Sequence, residues 1–383
     1  MIYFDHNATA PVIREAREAW LQATEKLSGN PSSLHQPGTD AAMALDDARE
    51  KLAAMMACDP SCIIWTSGAT EANNTVLHHF AHNLDPAGYI FVSAIEHPCV
   101  EESARHYFGG RVKTIPVTGE GVVDLDWLTK EIAQEPPGLV AVMAANNETG
   151  VLQPWREIST LCRAYDLPYF TDAVQFLGKL PTRGLGDCDY VSGAAHKFGG
   201  PRGAGFLKIP RRSRLTPLLR GGKQEAGRRA GTENLPVIAA MLAALEVREQ
   251  QLARGEHHPR QAWRDHFETQ FLRAIPAATI LGLDQPRLWN TVSALMPEGD
   301  RKSQWVMRLN QAGFAVSTGS ACTAGKDEPS RVLAAMGCPS AHALRALRFS
   351  AGWETTAADW GALLRAIVQV YGEGQSEKQR ARP

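Results

Sequence analysis

The sequence lacks a long apolar run, and it lacks an excess of charge of either sign. No stretch approaches the roughly 18 uninterrupted apolar residues that a membrane-spanning helix requires, and residues 1–7 lack the basic and apolar pattern of a signal peptide. The formal net charge is −1, which gives no overall attraction to nucleic acid or to a membrane surface. We therefore expect a cytoplasmic protein without a membrane partner, whose charged ligands are bound by local patches.

The sequence also lacks paired cysteines. Its seven cysteines form an odd, scattered set, which is typical of reduced thiols rather than of a disulfide framework. Cys58 and Cys62 are close together, but no second close pair completes a zinc site, so we expect no bound metal. A chain of 383 residues can bury a large core and suggests a large domain with a smaller one attached.

Short apolar runs alternate with helix-like segments over the first two thirds of the chain. This alternation predicts an α/β fold, with a mainly parallel seven-stranded sheet and helices on both faces. The predicted strands are residues 62–66, 89–93, 112–117, 139–145, 169–172, 190–192 and 205–209.

The pattern changes near residue 255. A polar helical stretch over residues 248–270 leads to shorter predicted strands at 279–283, 291–296, 314–318 and 345–350. We expect residues 14–255 to form the large domain, and residues 1–13 and 256–383 to form a smaller α+β domain. The polar, breaker-rich tail from Gly372 is expected to fray.

Polar clusters follow five of the predicted strands. Ligands of open α/β sheets bind outside the carboxyl ends of the strands, so these clusters predict one shared pocket. The clusters are residues 67–71, 96–97, 146–148, 172–175 and 196–197.

Lys197 follows His196 between a short apolar strand and a glycine-rich turn at residues 199–205. This setting suits an amine that stays fixed and reactive, as the Schiff-base lysine of a pyridoxal 5′-phosphate (PLP) enzyme does. The turn lacks the Gly-Lys-Ser/Thr ending of a nucleotide P-loop. A lysine beside glycines is, by itself, more often a solvated turn residue, so the interpretation depends on its neighbours.

Three neighbours favour the PLP interpretation. Asp172 ends a strand, where its carboxylate could hold a pyridine nitrogen protonated, although a helix N-cap is an equally good explanation. His97 could stack on the ring face, or it could be an ordinary core histidine. Residues 67–70 form a glycine turn that opens a helix, whose N–H groups and Thr70 hydroxyl could bind an anion or simply cap the helix.

Cys322 follows an apolar strand and lies in a loop of small residues, with Gly319 and Gly325 as possible pivots. A lone cysteine is usually a small buried hydrophobe. In such a loop, however, a thiol can be accessible and activated as the thiolate.

Further short motifs occur in order nearly from end to end of the chain: Tyr3-Phe-Asp-His-Asn-Ala-Thr, Gly29-Asn-Pro-Ser-Ser with His35, Ser67-Gly-Ala-Thr-Glu71, Asn146-Asn-Glu-Thr-Gly150, Asp172-Ala-Val-Gln175, His196-Lys197, Arg229-Ala-Gly-Thr232, residues 317–323 and Leu347-Arg-Phe-Ser350. With these motifs the chain resembles the cysteine desulfurases, in the class V aminotransferase group of fold-type I PLP enzymes. Residues 317–332 resemble the branch typified by bacterial NifS and IscS.

The resemblance implies a role for each matching residue. Lys197 would bind PLP and move the substrate Cα proton, with His97 stacked on the ring as an acid or base. Cys322 would take sulfur from L-cysteine as a persulfide, leaving alanine, and pass it to a protein acceptor such as an iron-sulfur scaffold or a sulfur carrier. The remaining cofactor and substrate contacts would be Asp172 on the ring nitrogen, Gln175 on the ring hydroxyl, Ala69, Thr70, Ala194 and His196 at the phosphate, Thr232 from the second subunit of a homodimer, and Asn147 and Arg348 on the substrate carboxylate.

Ala194 departs from the family pattern, which has Ser-Gly-His-Lys where this chain has Ala194-Ala-His-Lys. One hydrogen bond to the phosphate is therefore lost or is supplied by Ser192 or a water, at a cost on the order of 1.5 to 3 kcal/mol if it is lost. The C-terminal tail does not resemble the scaffold-docking end of housekeeping members, which leaves the acceptor open.

Other functions remain open at this point. A selenocysteine lyase or an amino-acid transaminase would use the same cofactor, and a sulfur-relay partner would bind an acceptor without turnover. Residues 202–229 are locally basic, but no aromatic residues interleave with the basic ones, so we expect solvated surface and dimer contacts rather than a nucleic-acid partner.

Overall fold

The computed structural model describes residues 1–298, 302–319 and 329–380, with the side chains of residues 302 and 375–380 left out. The predicted nucleophile Cys322 lies outside these residues. No helix in the described part is long and apolar enough to cross a membrane.

A seven-stranded sheet organises the first two thirds of the chain, as predicted. Its order is β2-β8-β7-β6-β5-β3-β4, and every neighbouring pair is parallel except the two pairs that involve β8. Six strands therefore run in one direction and β8 runs in the other. The strands are β2 (Ile63–Thr66), β3 (Ile90–Ser93), β4 (Val112–Ile115), β5 (Val140–Ala141), β6 (Tyr169–Asp172), β7 (Tyr190–Ala194) and β8 (Gly205–Lys208).

Helices cover both faces of this sheet because its strands are apolar on both sides. On β2, Ile63 and Trp65 join one core while Ile64 joins the other. Helices α3 and α4 pack on the face that carries Ile64, and α2, α5, α6 and α7 pack on the face that carries Ile63 and Trp65. The helices are α1 (Arg14–Lys26), α2 (Gln36–Met56), α3 (Ala69–Asn83), α4 (Pro98–Phe108), α5 (Leu125–Gln134), α6 (Trp155–Ala164) and α7 (Leu235–Ala253).

The remainder of the chain builds a smaller α+β layer. An antiparallel sheet has the order β12-β10-β9, and β1 (Ile2–Tyr3) pairs in parallel with β11. The other elements are α8 (His257–Ala274), β9 (Thr279–Ile280), β10 (Thr291–Leu295), α9 (Lys302–Gln311), β11 (Phe314–Ala315), α10 (Arg331–Ala335), α11 (Ser340–Ala343), β12 (Ala346–Ser350) and α12 (Ala357–Arg380).

Two details of the predicted pattern were wrong. The single helix expected over residues 248–270 is broken between α7 and α8, where Gly255 adopts a φ of +71°. The tail expected to fray from Gly372 instead continues α12 to Arg380. The proposed domain bounds at residues 13 and 255 remain a prediction, and they are favoured by a separate core that draws on Phe4 and residues 267–370.

Gly205 lies where β8 packs closely against the turn before α3. Gly205 lies between Thr66 and Ala194 in the ladders of β8, and a Cβ there would lie 2.6 Å from both the Gly193 carbonyl oxygen and the Gly68 Cα. The absence of a side chain at Gly205 therefore lets the turn before α3 approach β8.

We predict that Gly205→Ala lowers the free energy of unfolding by about 1 to 3 kcal/mol, because the obstructing atoms are backbone and cannot rotate away. Denaturant unfolding measures the change. Gly110→Ala is the matched control, because a Cβ at Gly110 meets no atom within 4 Å. Equal stability of the two variants would contradict the prediction.

Candidate active site

A cavity of about 830 Å³ lies at the carboxyl ends of the parallel strands. Residues from all five predicted clusters line it, so the prediction of one shared pocket is confirmed. The predicted site residues in its wall are Ala69, Thr70, His97, Asn147, Asp172, Gln175, Ala194, His196, Lys197 and Arg348.

Lys197 ends a short 3-10 turn directly after β7, which brings its side chain to the cavity. Its Nζ donates to the backbone carbonyls of Asn7 at 2.6 Å and Ala8 at 2.8 Å. The amine is thereby fixed by the N-terminal segment. Asn7 belongs to a motif noted in the sequence, but sequence reasoning gave it no role.

Asp172 ends β6 and is buried. Its Oδ2 accepts a hydrogen bond from Asn73 Nδ2 at 2.7 Å, and its Oδ1 accepts one from the Val174 N–H at 3.0 Å. The carboxylate therefore has a fixed orientation at the cavity wall. Asn73 was missed, because its contact with Asp172, 99 positions later, leaves no signal in a single sequence.

His97 caps the N-terminus of α4, and its Nδ1 accepts the Cys99 N–H at 3.2 Å. The Cys99 Sγ lies 2.9 Å from the same nitrogen. Burial lowers the pKa of His97, the nearby Asp172 carboxylate opposes this shift, and Lys197 adds to it. A neutral imidazole with Nδ1 as acceptor carries its proton on Nε2.

The first turn of α3 contributes Ala69 and Thr70 to the cavity wall. The first N–H groups of a helix have no acceptor within the helix, so this turn is suited to an anion. The nearby Glu71 carboxylate is already engaged, because it accepts from the Ser67 N–H at 2.8 Å and from Arg229 Nε at 2.9 Å.

Ala194 lines the cavity and has no hydroxyl to offer there. Ser192 does not replace it: this residue is fully buried, and it is not among the residues that line the cavity. The hydroxyl-bearing residues that line the cavity are Thr9, Ser67, Thr70 and Ser330, and the Ser330 hydroxyl already donates to Glu148.

Gln175 is buried beside Asn7 at the cavity wall. Its Nε2 donates to the Asn7 carbonyl at 2.9 Å, and its Oε1 accepts from Lys179 Nζ at 2.5 Å. Lys179 does not line this cavity and was missed, because no sequence pattern distinguishes it from a surface lysine.

Arg348, on β12, is almost completely buried and lines the cavity. Its two terminal nitrogens donate to the Asn147 carbonyl at 2.8 Å, the Gly319 carbonyl at 2.6 Å and Asp5 Oδ1 at 2.7 Å. Its Nε is buried without a hydrogen-bond partner in the described part of the chain. The guanidinium therefore retains a donor.

Both described residues next to the segment of Cys322 are tied to the site. On one side, Gly319 binds Arg348 through its carbonyl. On the other, residues 329–332 line the cavity, and Ser330 Oγ donates to Glu148 Oε2 at 2.6 Å. The described chain on either side of Cys322 therefore contacts residues of the cavity wall.

Thr232 is exposed and is not in the wall of this cavity, so the single chain does not bring it to the other site residues. No group of three or more metal-binding side chains occurs in residues 1–298, 302–319 and 329–380.

Two histidines near the site have strongly lowered pKa values. Burial lowers the pKa of His196 to about 4, and the positive charges of Lys197 and Arg202 add to the effect. Burial also lowers the pKa of His6 to about 4, although Glu354 opposes this shift. Both imidazoles are therefore neutral at neutral pH.

Comparisons with known proteins agree on one family. The aminotransferase class-V family matches residues 2–363. A cysteine desulfurase of Enterobacter agglomerans is 39% identical over 91% of this chain and 87% of its own length. The cysteine desulfurase IscS of Dictyoglomus turgidum is 36% identical over 96% of this chain and 94% of its own length.

Solved structures give the same result. A NifS-like protein superposes with a TM-score of 0.88 at 32% identity, covering 97% of this chain and 99% of the other. A structure of SspA in complex with cysteine has a TM-score of 0.78 at 29% identity, covering 91% of this chain and 98% of the other. The sequence-based expectations of fold and family are confirmed.

We predict that the free energy of unfolding falls on acidification from about pH 6.5 to pH 4, because the unfolded chain protonates His6 and His196 in this range while the folded chain does not. For His6 the loss is on the order of 3 kcal/mol. His6→Gln should therefore flatten the pH dependence measured by denaturant unfolding. The exposed His266→Gln is the control, and an unchanged slope in His6→Gln would refute the prediction.

Proposed function

The chain is a member of the aminotransferase class-V family and belongs among its cysteine desulfurases, and we propose that the cavity around Lys197 is where it removes sulfur from L-cysteine with PLP. The observation that carries the proposal is that Lys197, Asp172 and Arg348 line one cavity, with Pro329 in its wall and Gly319 bonded to Arg348. An amine, a buried carboxylate and a buried guanidinium are the groups that this reaction requires.

The residues present fit PLP. The cavity of about 830 Å³ has room for the cofactor together with an amino acid. Asp172, held on both oxygens, supplies the anion that a pyridinium nitrogen requires, and the first turn of α3 supplies N–H groups for a phosphate.

We assign the contacts accordingly. Lys197 would hold the cofactor covalently, Asp172 would face the ring nitrogen and Gln175 the ring hydroxyl, and His97 would stack on the ring. Asn147 would contact both cofactor and substrate. The phosphate would be bound by Ala69, Thr70, the Ala194 region and His196, with Ser67 and Thr9 as the hydroxyls available in place of the missing serine.

Bound PLP supplies an acceptor for the electrons released at the substrate carbon. Lys197 would take the Cα proton and return it, and the Asn7 and Ala8 carbonyls keep its Nζ at the cavity. His97, with Nδ1 as acceptor, presents Nε2 as its proton-carrying nitrogen and would serve as a second acid or base.

Arg348 would bind the substrate carboxylate, with Asn147 beside it. Its Nε is a buried donor without a partner in the described residues, and a carboxylate would satisfy it. When the substrate binds, the terminal nitrogen of Arg348 that donates to the Gly319 carbonyl would donate to the substrate carboxylate instead, so that a charged acceptor replaces a neutral one.

Cys322 would attack the substrate sulfur as the thiolate. The carbon–sulfur bond would break, and its electron pair would stay with the substrate carbon, which takes up a proton and becomes the methyl carbon of alanine. A sulfur–sulfur bond would form on Cys322. The persulfide would then pass its outer sulfur to a protein acceptor such as an iron-sulfur scaffold or a sulfur carrier.

A homodimer completes this proposal. Thr232 is exposed in the single chain, which leaves it available to a neighbouring pocket. Four large apolar side chains on α1, α2 and the segment between them are also exposed, and association with a second copy would cover them: Trp20, Leu21, Leu34 and Met43.

We also keep a cytoplasmic location as part of the proposal, and we do not include a nucleic-acid or membrane partner.

We predict that Cys322→Ser retains PLP binding but loses alanine production from L-cysteine by roughly 100-fold or more, because the hydroxyl cannot accept sulfur. Mass spectrometry after L-cysteine treatment should show one added sulfur atom on Cys322 in the unmodified protein and none in the variant. Adding candidate acceptors to the same experiment would show which of them removes the sulfur.

Cys338→Ser is the control for this experiment, since Cys338 is a half-buried free thiol in the described chain that follows the segment of Cys322. It should retain both the added sulfur and the turnover. Undiminished alanine production by Cys322→Ser would remove Cys322 from the mechanism.

We predict that a mixed dimer of Lys197→Ala and Thr232→Val subunits recovers one site of normal PLP affinity. The pocket with an intact Lys197 would receive an intact Thr232 from its neighbour. Reduction with borohydride, which fixes PLP only to Lys197, measures the occupied sites at limiting PLP.

The control dimer carries both substitutions on one chain and none on the other. Its intact Lys197 would then face a neighbour that carries Thr232→Val, and we expect affinity about 3- to 10-fold weaker, the loss of one hydrogen bond. Equal affinity in the two mixed dimers would show that Thr232 does not act across an interface.

A further inference from the structure

Lys179 is a buried lysine whose hydrogen bonds are to neutral oxygens. It is 3% exposed, and its Nζ donates to Asn7 Oδ1 at 3.0 Å and to Gln175 Oε1 at 2.5 Å. Burial lowers its pKa well below the usual value, and the charges that add to this shift, those of Lys197 and Arg348, are both positive. No described carboxylate forms a hydrogen bond or an ion pair with this amine. Burial of an amine without such a partner is unfavourable for stability, so its presence calls for another explanation.

The two sides of the Gln175 amide face different surroundings. Its nitrogen shares the Asn7 carbonyl with Lys197 Nζ, so it lies on the cavity side. Its oxygen faces Lys179, which lines a separate space of about 20 Å³ behind Lys197. One hydrogen of Nε2 is used by Asn7, and the other is left for the cavity.

Asn7 does not depend on Lys179 for its orientation. Its Oδ1 also accepts from Asn290 Nδ2 at 3.1 Å, and its Nδ2 donates to the Asn147 carbonyl at 3.2 Å and to Thr291 Oγ1 at 2.9 Å. Removal of the Lys179 amine would therefore chiefly release the Gln175 oxygen.

We propose that Lys179 is a positioning residue of the cofactor site: by holding Gln175 Oε1 away from the cavity, it presents the Gln175 N–H₂ group to the ring hydroxyl of PLP. This inference rests on the proposed function, because it takes PLP as the ligand of the cavity. The amine acts through Gln175 and does not touch the cofactor.

The test is a double-mutant cycle of Lys179→Met and Gln175→Leu, read as PLP affinity by titration of cofactor-free protein. We expect Lys179→Met alone to weaken PLP binding about 3- to 10-fold, the worth of one hydrogen bond. In the Gln175→Leu background the same substitution should have no further effect, because the group it positions is gone. The absorption maximum of bound PLP should shift in the same direction in both single variants.

Lys208→Met is the matched control. Like Lys179, Lys208 is a buried lysine whose amine donates to neutral oxygens. Its acceptors are the backbone carbonyls of Cys188 and Asp189, and it neither lines the cavity nor contacts Gln175. It should leave the affinity and the absorption maximum unchanged. Thermal unfolding of the cofactor-free variants checks the fold, and Lys179→Gln takes the place of Lys179→Met in the cycle if the methionine variant does not fold.

The outcomes separate this inference from the proposed function. If the unmodified protein binds no PLP, the proposed function fails. If it binds PLP and Gln175→Leu weakens binding, but Lys179→Met has no effect or an additive one, Lys179 does not act through Gln175 and the inference is overturned.

Discussion

The site depends on one segment, the chain around Asn7, which links the seven-stranded sheet to the three-stranded antiparallel sheet. Its carbonyl accepts from Lys197 and Gln175, and its side chain bonds to Lys179, Asn290 and Thr291, so residues of both layers converge on one peptide. Lys197 is half-buried and the other groups are buried, and a buried polar group without a partner is costly. The network therefore has essentially one satisfied arrangement, and that arrangement fixes where the Lys197 amine can be.

Much of the fold follows from periodicity. The seven apolar runs became the seven strands of the main sheet, because continuous apolar runs between helices are buried on both faces. The break at Gly255 was missed because polar residues continue on both sides of it, although Gly255 and Pro259 are both residues that end or begin helices. The reversal of β8 was not predicted either, since direction depends on pairing between strands and leaves no local pattern.

The residues of the site also differ in how far the sequence could predict them. Lys197, Asp172 and His97 could be suggested from residue type and position, whereas Gln175, Asn147 and Arg348 required the family resemblance. Asn73, Lys179 and Asp5 were found only in the structure. Asn73 and Asp5 contact partners far away in sequence. Asn73, for example, holds Asp172 from a helix 99 positions earlier. Such pairs carry no signal in a single sequence. Lys179 contacts Gln175 four positions earlier, but residue type alone does not indicate that contact.

Arg348 connects parts of the protein that are usually considered separately. One guanidinium binds Asp5 near the N-terminus, the Asn147 carbonyl in the segment that follows β5, and the Gly319 carbonyl before the segment of Cys322. Groups that share one partner do not respond independently to substitution. Sequence variation at Asp5, Asn147 and Gly319 should consequently be epistatic with variation at Arg348, so that the effect of a change at any of the four positions depends on which residues occupy the other three.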